Sequence, residues 1–160
     1  MRIKNKKENV GMETKKIAIG CDEAAFDMKE TLKKHLEGKG YEVTDCGVYN
    51  TDPVLYPDIA YKVCSEITKG RCERGVLVCG TGIGMAMTAN KVKGIRAAVC
   101  HDPFSTERSV KSNNAQVCCM GARVIAPQLA TCLLDIWLGC EFMDGPSTKK
   151  IGRISYYENK

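Results

Sequence analysis

The chain has 160 residues, 44% of them hydrophobic and 27% charged, with a formal net charge of +5. That is the size and make-up of one globular domain with a full core, and no apolar run approaches the roughly 20 residues of a membrane span. The charge is unevenly placed: residues 1–16 carry six Lys/Arg against Glu8 and Glu13, which leaves the body near neutral and argues against a nucleic-acid-binding surface. Residues 1–14 are expected to form a disordered basic leader ahead of a single domain over 15–160, and basic residues with no apolar stretch behind them are not a secretory signal. Ten cysteines without a C-x-x-C pair, and only two histidines, His35 and His101, do not make a zinc site. With no secretory signal, they read as reduced thiols of a cytoplasmic protein, several of them acting as small hydrophobes.

In chain order, residues 16–22 (KIAIGCD) read as a buried strand. An amphipathic helix is predicted over 26–39, with Phe26, Met28, Leu32 and Leu36 near helical spacing and Gly38 and Gly40 as its stop. A second strand follows over 41–46, a proline-bearing loop over 50–57, and a helix over 58–69 with Ile59, Ala60, Val63 and Ile67 turned inward. Residues 75–79 form a third strand and 84–91 a third helix. A strand over 95–100 leaves through His101-Asp102-Pro103 into a helix over 104–111, and a fifth strand spans 115–120. The helix over 127–138 places Leu129, Leu133, Ile136 and Trp137 on its apolar face. The helical tail beyond Phe142 holds Gly145-Pro146 and the basic cluster Lys149, Lys150 and Arg153. Strands alternating with helices predict a Rossmann-like, three-layer α/β/α fold around a five-stranded parallel sheet, with right-handed crossovers.

The most informative stretch is Cys79-Gly80-Thr81-Gly82-Ile83-Gly84, where a buried strand stops at a thiol and a glycine-alternating loop opens a helix. In a parallel α/β sheet, ligands bind beyond the carboxyl ends of the strands, and the free N–H groups at a helix start favour an anion. A cysteine there has the chemistry of a base or nucleophile, and equally that of a buried structural residue. Thr81 has two readings, a proton relay or a helix cap. The amides of Gly80, Gly82, Ile83 and Gly84 either hold an oxyanion or permit a tight turn. The loop is neither a dinucleotide fingerprint nor a P-loop, lacking the spacing of the one and the lysine of the other. Asp22, after the first strand, suits a substrate hydroxyl or an N-cap. His101 stands at a strand end as an acid/base candidate, Arg123 follows the fifth strand in a position to meet an anion, and the Lys149–Lys150–Arg153 cluster reads as a solvated face or a phosphate grip.

These motifs, with Tyr56-Pro57-Asp58, Ala89-Asn90-Lys91 and Gly94-Ile95-Arg96-Ala97, resemble ribose-5-phosphate isomerase type B, a family that includes the galactose-6-phosphate isomerase subunits. The resemblance runs over residues 16–154. It implies cofactor-free aldose–ketose isomerisation of a sugar phosphate through an enediolate, by homodimers or dimers of dimers with shared active sites. It implies Cys79 as the base, Thr81 as hydroxyl-proton shuttle, and Asp22 as a sugar contact. It further implies loop amides on the enediolate oxygen, Asn113 in the site and Arg123 on the phosphate. Three positions depart from the family pattern. Asp22-Glu23-Ala24-Ala25 replaces Asp-His-Gly-Gly, and Ser112-Asn113 replaces His-Asn, whose histidine assists ring opening. Gly145-Pro146-Ser147 lacks the first tail arginine, while Lys150 stands where the second would be. Ribose 5-phosphate is the default substrate, an already open-chain tetrose or tetrulose phosphate the altered one, and a non-catalytic sugar-phosphate-binding or partner subunit the alternative.

Overall fold

The computed structural model describes residues 15–160; the expected basic leader, residues 1–14, lies outside the described residues. Five strands form one parallel sheet in the order β2-β1-β3-β5-β4: β1 (Lys16–Cys21), β2 (Glu42–Asp45), β3 (Arg74–Cys79), β4 (Ala97–Val99) and β5 (Val117–Gly121). The helices are α1 (Phe26–Gly38), α2 (Tyr56–Thr68), α3 (Ile83–Ala89), α4 (Pro103–Lys111), α5 (Pro127–Leu138) and α6 (Thr148–Glu158). The central strands β1, β3 and β5 are buried almost throughout and read as continuous runs of apolar and small residues, because helices cover both faces. No helix among the described residues is long and apolar enough to cross a membrane.

The predicted architecture is the observed one, with displaced boundaries. α2 starts at Tyr56, inside the expected loop, because Pro57 falls in the first helical turn, where its missing N–H costs nothing. On α5 the buried stripe is Ala130, Leu133, Leu134 and Trp137, a clean i, i+3, i+4, i+7 set, whereas Leu129 is exposed. The helical face is therefore turned from the predicted one, with Ala130 and Leu134 inward in place of Leu129 and Ile136. On α1 the buried set is Met28, Lys29, Leu32 and Leu36, so a lysine occupies an apolar position. α6 buries none of its residues.

After β1 the chain moves outward to β2, then returns across β1 to lay β3 on its other side. The strand order reverses between β1 and β3, and their carboxyl ends diverge into loops that leave a crevice. The residue that follows β1 is Asp22, and the last residue of β3 is Cys79.

Candidate active site

The crevice at that switch point is a cleft of about 430 Å³ lined by Asp22, Tyr56, Cys79, Gly80, Thr81, Ile83, Gly84, Met87 and Arg123. One floor therefore gathers seven residues expected from the sequence, contributed by the ends of β1, β3 and β5 and the start of α3. Gly82, the eighth member of that group, is buried and does not line the cleft.

Cys79 is 6% exposed, and its Sγ accepts the N–H of Gly82 at 3.0 Å. That bond requires the left-handed turn at Gly82 (φ +78°), and a side chain there would meet the Met120 backbone at 3.0 Å. The Thr81 hydroxyl accepts the N–H of Ile83 at 3.3 Å, leaving its own proton to donate elsewhere. Two of the four loop amides expected to hold an oxyanion, those of Gly82 and Ile83, are thus directed at Cys79 and Thr81. Those of Gly80 and Gly84 are the other two of the four.

Asp22 adds an unfinished acceptor. It is the N-cap residue of a short 3-10 turn but makes no side-chain cap bond within hydrogen-bond geometry, and its Oδ1 is buried with no hydrogen-bond partner. Burial first, then the neighbouring Glu23 carboxylate, push its carboxyl above the ordinary aspartate range, against the pull of the Ala24 and Ala25 amides and of Arg123. Native structures seldom leave a buried acceptor empty unless something else is meant to fill it. Glu23 itself is turned to the loop after β2, where its Oε2 accepts the N–H of Val54 at 3.3 Å.

Arg123 is carried on the turn after β5. Its backbone N–H is bonded to Gly80 O at 3.0 Å, and Ala122 N–H to Cys79 O at 2.8 Å, so this turn is stitched to the loop that bears the thiol. Its guanidinium borders Gly80, where a side chain would approach Nη1 within 3.4 Å.

Asn113 and Lys150 are not in this cleft. Asn113 lines a separate cavity of about 800 Å³ with Asn90, Arg96, Arg108 and Glu158, and Lys150 is exposed on α6, bordering neither space. His101 lies outside the cleft as well, its Nε2 accepting the N–H of Gly121 at 2.8 Å. That bond engages Nε2 and leaves Nδ1 as the ring's other nitrogen.

Two lining residues, Tyr56 and Met87, had no functional reading in the sequence. The Tyr56 ring covers Gly84 so closely that a methyl group there would fall 2.6 Å from it. Its signal was the Tyr-Pro pair, legible as a helix start rather than a loop.

Comparison with known proteins identifies the family and the fold. Residues 17–154 match the family described as Ribose/Galactose Isomerase. The chain is 51% identical over 148 residues to D-erythrulose-4-phosphate isomerase of Pectobacterium atrosepticum, covering 90% of this chain and 95% of that protein. It is 50% identical to ribose-5-P isomerase B of Listeria innocua, covering 91% and 98%. Among solved structures, ribose-5-phosphate isomerase B of Clostridium thermocellum superposes with a TM-score of 0.89 at 39% identity, over 90% of this chain and 97% of that one.

Proposed function

This chain belongs to the ribose/galactose isomerase family, and from that premise we propose that it interconverts a four-carbon ketose phosphate and its aldose isomer with Cys79 as the base. It is an aldose–ketose isomerase of sugar phosphates. The substrate length is read from Ser112, which stands where the resembled family keeps a histidine for ring opening. A serine hydroxyl cannot serve as acid or base near neutral pH, and such help is worth about 10²–10⁴ in rate. A tetrose 4-phosphate has its C4 oxygen esterified and cannot close a five-membered ring, so it has no ring to open. The 51% identity to a protein named for D-erythrulose 4-phosphate supports the same reading.

Starting from the aldose, the Cys79 thiolate removes the proton from C2, made acidic by the neighbouring carbonyl. Negative charge then collects on the carbonyl oxygen, which the Gly80 and Gly84 amides meet, where preorganised donors contribute most. Thr81 moves a proton between O1 and O2, and Cys79 returns the carbon-bound proton to C1, giving the ketose. Asp22 accepts a substrate hydroxyl through its empty Oδ1, and Arg123 holds the phosphate. Asn113 and Lys150 act on the cleft of a second copy of the chain. An inactive Cys79→Ala protein mixed with an Asn113→Ala protein then regains activity, because one site of the mixed dimer is intact; no regain removes the shared-site arrangement.

The deciding experiment follows deuterium from solvent into C4, C5 and C6 aldose and ketose phosphates, with Cys79→Ala as control. Label at the carbon beside the carbonyl of the C4 pair, at least tenfold faster than in ribose 5-phosphate and lost in the variant, is the expected result. Faster exchange in ribose 5-phosphate, the substrate in the name of the 50% identical relative, would overturn the chain length. Silence across the panel from folded protein would favour a binding or partner subunit.

A further inference from the structure

β5 outruns its neighbour. The last β4–β5 register pair is Val99 with Cys119, and Cys100 N–H adds a final bond to Cys119 O at 2.9 Å. Gly121, the last residue of β5, has its N–H beyond the end of β4, where no backbone carbonyl of that strand reaches. A buried N–H left empty costs about 1–3 kcal/mol. His101, on the exit loop of β4, supplies the missing acceptor through Nε2 at 2.8 Å. A ring nitrogen that accepts carries no proton, so this imidazole is neutral with its hydrogen on Nδ1.

The peptide it holds is a joint of the site. A methyl group on Gly121 would lie 2.7 Å from the Thr81 backbone, so β5 and the thiol-bearing loop are in direct main-chain contact there. Gly121 O accepts the N–H groups of Val124 and Ile125 at 3.0 and 3.1 Å, closing the turn that carries Arg123. Thr81 is packed against one side of this residue, and Arg123 is hung from the other.

We propose that His101 is a positioning residue: its neutral imidazole, through the Gly121 N–H, sets Thr81 and Arg123 for the reaction, and a proton on Nε2 undoes that joint and switches the site off in acid. Burial holds the ring below the ordinary histidine range, while Asp102, the one charged group bearing on it among the described residues, pulls the other way. The Asp102 carboxylate is itself tied to the Ser105 N–H at the start of α4. The proposal rests on the placement of Thr81 and Arg123 in the working site argued above.

The test is kcat at saturating substrate from pH 5 to 8 for the wild type, His101→Gln and His101→Phe, with the Gly121 amide followed by NMR in the same proteins. A base that must be deprotonated gives log kcat a slope of about one in acid; protonation of His101, below the ordinary histidine range, steepens the wild-type slope towards about two. The Gln carboxamide oxygen accepts an N–H at any pH, so that variant keeps kcat within about threefold at pH 8 and a slope of about one. The Phe variant, lacking an acceptor, loses about tenfold at every pH. Gln and Phe variants that behave alike, or a Gln variant as steep as the wild type, would overturn the proposal. The amide signal is independent of the substrate: in the wild type it moves with the His101 ring as the ring titrates, and in the Gln variant it stays put. An amide indifferent to the ring's titration sinks the His101 joint even if no sugar phosphate turns over. A coupled amide in a protein inactive on every sugar phosphate would instead sink the isomerase reading.

Discussion

Two aspartates stand at neighbouring strand ends, and their surroundings are opposite. Asp45 closes β2: its carboxylate takes Lys29 Nζ at 2.9 and 2.8 Å, Lys33 Nζ at 3.1 Å and the Gly47 N–H at 2.9 Å. Although burial would raise it, those partners hold the Asp45 carboxyl below the usual range. Lys29, 0% exposed, completes its own shell with Val48 O at 2.6 Å and the rings of Phe26 and Tyr49. Asp22, one strand away, has a buried oxygen with no partner and a carboxyl pushed up. A finished polar network fixes a loop; an unfinished one at a cleft waits for a ligand. The same sheet edge thus carries structure at β2 and the proposed chemistry at β1 and β3.

The largest expected effect tests the chemical half. Cys79→Ala lowers kcat on the order of 10³-fold or more, the scale of a lost general base, while the melting temperature changes little, because Sγ accepts a single amide. Steady-state rates with thermal unfolding check both. A variant that keeps a tenth of the activity would return Cys79 to the structural reading.

Exchanging the two carboxylates for amides sharpens the contrast. Asp22→Asn costs about 10²-fold in kcat/KM and leaves the melting temperature unchanged or raised, since a desolvated, unpaired acid is removed. Asp45→Asn does the reverse, keeping activity per folded molecule and losing stability. Equal losses of stability in the two variants would erase the distinction drawn between them.

Lys29→Met carries the structural half further. Removing one partner of a buried pair costs about 3–5 kcal/mol, because the other charge is left without compensation. The sign with pH follows from the two groups. Asp45 titrates low in the folded state, so its contribution is complete above the unfolded aspartate value of about 3.9 and is lost as pH falls through the folded one. Burial would lower Lys29, but its bonds to Asp45 and Glu30 hold it above the ordinary lysine range. Its contribution is therefore complete below about pH 10.4 and is lost as pH rises through the folded value. Urea unfolding across pH should show the wild type weakening at both ends and Lys29→Met flatter at both.

The two regions were not equally legible in the sequence. The Cys79–Gly84 loop could be read directly, because a buried strand meeting a glycine-alternating turn has few structural solutions, and Asp22 followed from its place after β1. The Lys29–Asp45 cluster went unread, though Lys29 lies three residues before Leu32 and seven before Leu36, on the helical stripe itself; polarity overruled spacing, and the partner that justifies its burial is 16 residues away. His101 was visible as a strand-end residue but not as an acceptor, since that role depends on β4 ending before β5. Asn113 and Lys150 rest on resemblance: no periodicity in one chain places either beside Cys79, and within one chain they lie elsewhere.

The smallest effect comes from the charge next to Asp22, the counterpart of the lysines next to Asp45. Glu23 raises the Asp22 carboxyl where Lys29 and Lys33 lower that of Asp45. Glu23→Gln keeps an oxygen for the Val54 N–H and removes only the charge. The Asp22 carboxyl, followed by carbon NMR, should then titrate at lower pH than in the wild type, while remaining above the ordinary range because burial, the larger cause, persists. A like charge in a solvent-accessible cleft is worth at most about 1 kcal/mol, so kcat/KM for a sugar phosphate changes by no more than about fivefold, upward, as repulsion of the phosphate falls. An Asp22 titration unmoved by the substitution would mean that burial alone sets its state, and the contrast with Asp45 would then reduce to the presence or absence of hydrogen-bond partners.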